Sequence, residues 1–284
     1  MTRFAYVNGR FVPHQHASVH VEDRGYQFAD AVYEVWSVSE GQLRDARGHF
    51  ARLWRSLDAL AIRHPLKEAS LRLIIGELLR RNRVRDGLVY LQISRGVARR
   101  DHLFPHPDTP PSLVLTCKRV DPRKGDAVAE TGISVISHPD QRWDRCDIKT
   151  VNLLPNVLAK QAGREAGAGE VWLTQPDGHV TEATSSNAWI VTAEGELVTH
   201  PATSDILGGI TRASLIEIAR ERGIVVHERA FTLDEAKRAR EAFVTSATRY
   251  VTPVTQIDGT VIGNGMPGSV ALALRDAYLS RELR

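Results

Sequence analysis

Lys149 stands in Asp147-Ile148-Lys149-Thr150-Val151-Asn152-Leu153, a lysine bordered by aliphatic side chains. Desolvation among Ile148, Val151 and Leu153 favours the neutral amine, the form that attacks a carbonyl carbon to give a Schiff base. The competing reading is a stem that packs while its ammonium reaches water. Glu182 lies in His179-Val180-Thr181-Glu182-Ala183-Thr184-Ser185-Ser186-Asn187, among small hydroxyl residues rather than other charges. It reads either as a buried carboxylate with a partner or as a turn residue. Gly208-Gly209-Ile210-Thr211 directly precedes an amphipathic stretch whose apolar face is Leu215, Ile218 and Ala219. Glycines that admit close backbone approach, a hydroxyl expected at the N-cap (Thr211) and a helix dipole make an anion cup, or an ordinary capped helix. Thr245-Ser246-Ala247-Thr248 is a second hydroxyl-bearing turn, or a plain strand end. Arg100 and His102 are two apart, so both point to one side of an extended segment and can grip a carboxylate, or simply stand solvated. Tyr33 offers a hydroxyl to a cleft, or packs.

The elements that must carry these groups follow from periodicity. Phe4 to Val7 and Arg10 to Val12 flank Asn8-Gly9 as a hairpin, and Val32 to Val38 alternates until Glu40-Gly41 turns it back toward Leu43. Phe50, Leu53, Leu57 and Leu60 recur at three and four, and Leu71, Ile74, Ile75, Leu78 and Leu79 repeat the pattern, predicting two amphipathic helices. Leu88 to Ile93 and Leu113 to Cys117 are expected as strands on either side of a polar loop holding Arg99, Arg100, Asp101 and His102. A Pro-, Lys- and Gly-containing stretch, 121–126, is the expected linker between an N-terminal α+β domain (1–120) and a C-terminal α+β domain (127–284). In the latter, strands are predicted at Ile133 to Ile136, Val171 to Leu173, Ala188 to Val191 and Leu197 to Thr199. Helices are predicted at Leu154 to Glu165, Thr211 to Arg222 and Ser269 to Leu279. Short strands with hairpin turns and a few helices give an α+β class rather than a regular βαβ array.

Composition narrows the function. Hydrophobic residues at 42% and charged residues at 25% exclude disordered, collagen-like and coiled-coil chains. No apolar run approaches the roughly 18 residues of a membrane span, and the first twelve residues alternate rather than resembling a signal peptide. Cys117 and Cys146 are too few for a disulfide framework or a zinc site, so a reducing cytoplasm is expected. A net charge of +3 argues against a general polyanion binder. The run Arg80, Arg81, Arg83 and Arg85 keeps a nucleic-acid-binding reading open, although it ends a predicted helix. Neither a Gly-x-Gly-x-x-Gly fingerprint nor a P-loop is present.

Taken jointly, Glu22 to Val35, His49 to Leu53, Arg145 to Leu154, Thr181 to Asn187, Ile206 to Arg212 and Phe243 to Pro253 occur in the order and spacing of fold-type-IV pyridoxal-phosphate enzymes. Over nearly its whole length the chain resembles the D-amino acid transaminase branch of that family. The resemblance implies a two-domain α+β homodimer with pyridoxal 5'-phosphate at the domain interface. It implies that Lys149 carries the cofactor covalently and moves the substrate proton, and that Glu182 faces the pyridine nitrogen. Arg52, the Ile210 and Thr211 amides, the Thr211 hydroxyl, Ser246 and the Ala247 amide would hold the phosphate. Ala247 replaces a threonine frequent in the family, and Ala29 and Ala31 replace frequent glycines. Thr184 replaces a small residue, and Arg249-Tyr250 is bulkier than usual. Arg100 and His102 would reach in from the partner subunit and, with Tyr33, trap the α-carboxylate, placing the Cα hydrogen of a D-amino acid toward Lys149. The implied reaction is reversible transamination between a D-amino acid such as D-alanine and a 2-oxo acid, 2-oxoglutarate or pyruvate, with neither nucleic acid nor membrane as partner. Branched-chain L-amino acid aminotransferases, aminodeoxychorismate lyases and (R)-amine transaminases share the other motifs, and a cofactor-free Schiff-base lyase is the remaining use of Lys149.

Overall fold

Apolar side chains at alternate positions force residues 31–39 to bury one face. In the computed structural model, which describes residues 3–281, they form a nine-residue strand with Val32, Trp36 and Val38 in the core. That strand is β3 of a unit running to Pro122 and including Ile148–Asn152. The elements before the second unit are β1 (Phe4–Val7), β2 (Arg10–Pro13), α1 (Arg24–Phe28), β3 (Ala31–Ser39), β4 (Gln42–Leu43), α2 (Ala46–Ala59), α3 (Glu68–Asn82), β5 (Gly87–Ser94) and β6 (Ser112–Arg119). Among the described residues the sheet is six-stranded and antiparallel, in the order β2-β1-β6-β5-β3-β4. Helices α2 and α3 bury Phe50, Leu53, Leu57, Leu71, Ile75 and Leu78 against it. These are the positions the three-and-four periodicity selected.

The second unit holds α4 (Pro122–Thr131, from Arg123), β7 (Ile133–Pro139), α5 (Leu154–Glu165), β8 (Glu170–Thr174), β9 (His179–Ala183), β10 (Asn187–Val191) and β11 (Leu197–Thr199). It continues with α6 (Ile210–Glu221), β12 (Val226–Glu228), β13 (Phe231–Thr232), α7 (Leu233–Lys237), β14 (Glu241–Ser246), β15 (Tyr250–Ile257), β16 (Thr260–Val261) and α8 (Ser269–Ser280). Its strands run β12-β11-β10-β14-β15-β7-β8-β9-β13, with β16 on β15. The β11–β12, β15–β7 and β7–β8 pairs are parallel. One core collects Trp172, Phe231 and Val254, and another packs α6 and α8 through Leu215 and Leu274 against Trp189 and Phe243. The α+β class is as expected.

Two expectations change. The stretch read as a linker, 121–126, does contain the division between the units, after Pro122, but it is not an irregular connection: from Pro122 it opens α4. Pro122 sits where a helix has no use for its missing N–H, and Ala127, Val128 and Ala129 continue the helix. Residues 148–152, expected in the second domain, belong to the first unit. Tyr33 N–H donates to the Lys149 carbonyl at 3.0 Å and Val151 N–H to the Ala31 carbonyl at 3.1 Å, so this segment extends the β3 edge. The arginine run at the end of α3 is partly spent locally: Arg80 and Arg81 both pair with Glu77, at 2.7 and 2.6 Å. No helix among the described residues is long and apolar enough to cross a membrane.

Gly87 starts β5 opposite Arg119, and a Cβ there would lie 2.0 Å from the Lys118 carbonyl oxygen. Gly87→Ala should therefore part β5 from β6 and cost about 1–3 kcal/mol, read as a lowered urea midpoint with near-normal secondary structure.

Candidate active site

The core face of β3 carries a carboxylate. Glu34 falls between Val32 and Trp36 and is fully buried, so it must be paired. Helix α2 supplies the partners from positions three apart, which share one helix face. Arg52 donates from Nε to Glu34 Oε1 at 2.7 Å and from Nη2 to Oε2 at 2.9 Å, and His49 Nδ1 lies 2.8 Å from Oε2. This fork fixes the plane of the Arg52 guanidinium. Burial raises the Glu34 pKa, but the charge and bonds of Arg52, with His49, outweigh it and hold the carboxyl well below the usual range. Burial also lowers the His49 pKa, so a neutral imidazole donates its Nδ1–H to Glu34. Sequence reading marked Arg52 and missed what Glu34 does for it. The available signal was parity: a carboxylate in phase with Val32, Trp36 and Val38.

Tyr33, on the opposite face of β3, stacks on Tyr90 with ring centroids 5.7 Å apart, and Lys149 Nζ stands 4.3 Å from the Tyr33 ring centre. Lys149 is half-buried, and its backbone N–H donates to Ser56 Oγ of α2 at 3.3 Å. The backbone of Lys149 is therefore tied to α2, while its amine lies against the Tyr33 ring of β3. Tyr90, which burial pushes up to about 12, donates to Gln92 Oε1 at 2.7 Å. Arg100 and His102 lie in an exposed, bent loop rather than an extended one. Both side chains nevertheless meet on one ring: the Arg100 guanidinium is 5.1 Å and the His102 ring 5.5 Å from the centre of Phe28.

In the second unit Glu182 is 6% exposed. Its Oε1 accepts from Arg142 Nη1 and from Leu207 N–H (3.1 Å), and its Oε2 accepts from Asn187 Nδ2 at 2.9 Å. Arg142 also forks onto Asp140, at 2.9 and 2.7 Å. Asn187 donates to the Leu207 carbonyl at 2.8 Å as well, and its Oδ1 leaves no room for a Cβ at Gly209, which would lie 2.0 Å away. The glycine is thus needed for close approach. Gly209, not Thr211, is the N-cap of α6. Its backbone is extended (φ −66°, ψ 137°), whereas Thr211 is already helical at the second position. The Thr211 hydroxyl is buried and has no hydrogen-bond partner among the described residues. Asn187 pairs with Thr245 across β10 and β14, which sets the Ser246-Ala247 turn beside the same loop. Ser246 Oγ accepts from Arg249 N–H at 3.2 Å. Asn187 thus touches Glu182, Leu207, Gly209 and Thr245, next in sequence to the start of α6 and to Ser246-Ala247. Arg142 and Asn187 were missed because their role depends on strand register and loop packing.

The profile described as Amino-transferase class IV matches residues 31–257, most of the chain. The chain belongs to the class IV aminotransferases. It is 43% identical over 277 residues to the D-alanine aminotransferase of Bacillus licheniformis, covering 96% of each chain. It is 38% identical over 279 residues to that of Listeria innocua, covering 98% of this chain and 96% of the relative. A solved branched-chain amino acid aminotransferase from T.th., with pyridoxamine 5'-phosphate, superposes with a TM-score of 0.89 at 28% identity, over 98% of this chain and 93% of that one.

This aminotransferase has side chains that fit the cofactor of its family. The unpartnered, buried Thr211 hydroxyl and the first amides of α6, which have no intrahelical acceptor, suit a phosphate.

Glu34→Ala should cost about 3–5 kcal/mol in urea titration, because it leaves Arg52 buried without its carboxylate. Both Glu34 and His49 bind protons less readily folded than unfolded. The stability they contribute is present above their ordinary values and is lost as pH falls through them. The thermal midpoint should therefore fall below about pH 6.5 through His49 and further below about pH 4.5 through Glu34, and Glu34→Gln should flatten only the lower part of the fall, because Glu34 is what helps His49 keep a proton.

Proposed function

We propose that this class IV aminotransferase is a homodimeric D-amino acid transaminase. It moves an amino group reversibly between a D-amino acid such as D-alanine and a 2-oxo acid, 2-oxoglutarate or pyruvate. The carrying observation is that Arg100 and His102 stand on one aromatic ring at an exposed loop, two cationic or donor groups side by side where a carboxylate can bridge them. The D-alanine aminotransferase relatives support the same substrate class.

Pyridoxal 5'-phosphate would be the cofactor, as in the family. Lys149 would form the covalent link, and Arg52, Ile210, Thr211, Ser246 and Ala247 would hold the phosphate. Glu182 would accept from the ring nitrogen. When bound, the cofactor supplies an electron sink for a carbanion at the substrate Cα. Lys149 Nζ would take the Cα proton and return it on the same face, and the Tyr33 ring, its centre 4.3 Å away, limits where the amine can stand. Glu34 keeps Arg52 oriented without touching substrate. Arg100 and His102 grip the α-carboxylate in the partner's site, with Tyr33 supplying a hydroxyl there. Leu103 and Phe104, 75% and 64% exposed beside the pair, and Tyr26 at 76%, offer an apolar rim for a second copy of the chain. Cys117 and Cys146, both thiols, fit a reducing cytoplasm.

The fold shared with branched-chain enzymes favours a second reading, transamination of L-leucine. Offering D-alanine, L-leucine and (R)-phenylethylamine, each with 2-oxoglutarate, separates the readings: D-alanine should be preferred, and preference for L-leucine overturns the proposal. Lys149→Ala should abolish both turnover and the cofactor's visible absorption; surviving turnover would remove it from the mechanism. Arg100→Ala should weaken D-alanine by about 2–3 kcal/mol in kcat/KM while leaving that absorption intact.

A further inference from the structure

The loop that carries Arg100 and His102 has little regular structure, yet it is pinned from beneath by a buried charge network that the reaction itself does not need. Asp30 is its centre. Its Oδ2 accepts from Arg24 Nε at 2.8 Å and from Arg95 Nε at 2.7 Å, and its Oδ1 accepts from Arg95 Nη2 at 2.9 Å. Both arginines are over nine-tenths buried. Each continues to the loop. Arg24 Nη1 donates to the backbone carbonyl of Asp101 at 2.7 Å, the residue between Arg100 and His102, and its guanidinium lies 4.8 Å from the centre of Phe28. Arg95 donates to the Leu60 and Ala61 carbonyls at 2.7 and 2.9 Å, and its guanidinium lies 3.7 Å from the ring of Phe104. Phe28 ends α1, whose N-cap Asp23 accepts from Gly25 N–H at 2.9 Å and from Ser94 Oγ at 3.0 Å. The ring is therefore built on a fixed base.

Phe28 is where the strands of this network meet. Arg24, Arg100 and His102 all approach its ring, at 4.8, 5.1 and 5.5 Å from its centre, so one aromatic side chain is the common support of both groups of the pair. We propose that Phe28, seated by the Arg24–Asp30–Arg95 network, is a positioning residue for carboxylate recognition. It presents Arg100 and His102 as one site, and so sets affinity for the substrate carboxylate without touching substrate, cofactor or reacting atoms. The inference rests on the reading of Arg100 and His102 as the carboxylate trap.

The holoenzyme tests it with D-alanine and 2-oxoglutarate. Phe28→Leu should raise KM for D-alanine about tenfold, the size of a lost, partly desolvated cation–π contact, with kcat changed less than about twofold. Phe28→Tyr, which keeps the ring, should restore KM. Calorimetric binding of propionate, a carboxylate without an amino group, should weaken by the same factor in Phe28→Leu. The cofactor's absorption should not move. Unchanged KM and propionate affinity in Phe28→Leu, or a fall in kcat together with the cofactor band, overturns the positioning role while D-alanine turnover by the wild type keeps the transaminase reading. Absence of D-alanine turnover in the wild type overturns that reading and the inference with it.

Discussion

The first unit is organised around one buried ion pair. Strand parity sends Glu34 to the core face between Val32 and Trp36, where a carboxylate without a cation is untenable. Arg52 and His49 answer it from α2, and a forked guanidinium tolerates little rotation. The pair thereby sets how α2 turns toward β3. Tyr33 then necessarily faces the other way, and the β3 edge receives the 148–152 segment, so Lys149 comes to rest beside Tyr33. One strand thus orders a phosphate-binding candidate on one face, an aromatic wall on the other, and an amine along its edge.

The second unit solves a similar problem with an amide. Asn187 begins β10 and bonds both Glu182 and the Leu207 carbonyl, while its side chain closes on Gly209 so tightly that only glycine fits. The carboxylate and the N-terminus of α6 are therefore fixed by a common neighbour. A forked Arg142, shared with Asp140, pairs with Glu182 in a buried setting. Asp30 in the first unit inverts the ratio, one carboxylate seating two arginines. In each case the charge is satisfied locally and the group held by it is aimed elsewhere.

Much of the fold was legible where periodicity was strong. The helix Leu154–Glu165 and the strand Leu197–Thr199 fall where expected, because side-chain period alone separates those elements from their neighbours. Reading failed where local signals pointed the wrong way. Proline and glycine at 122 and 125 suggested a linker, yet proline is harmless in a first helical turn and the helix runs on to Thr131. Thr211 looked like a cap, but the extended backbone of Gly209 takes that place and leaves the threonine hydroxyl buried. Strand β15 was not predicted; it carries Pro253 opposite Phe243 of β14, and its ladder to β7 starts only at Val254.

The amino-acid sequence by itself determined which residue types are available: a lysine in an aliphatic setting, an Arg-x-His loop, a glycine-threonine helix start, and the alternation that buries Glu34. These are local properties, readable from spacing and side-chain chemistry. Which group each touches was decided only by the tertiary structure. Glu34 with Arg52, Asn187 with Gly209, and Phe28 with Arg100 and His102 are joined by strand register, helix rotation and loop packing. Those arise from burying many side chains at once, and no single segment encodes them.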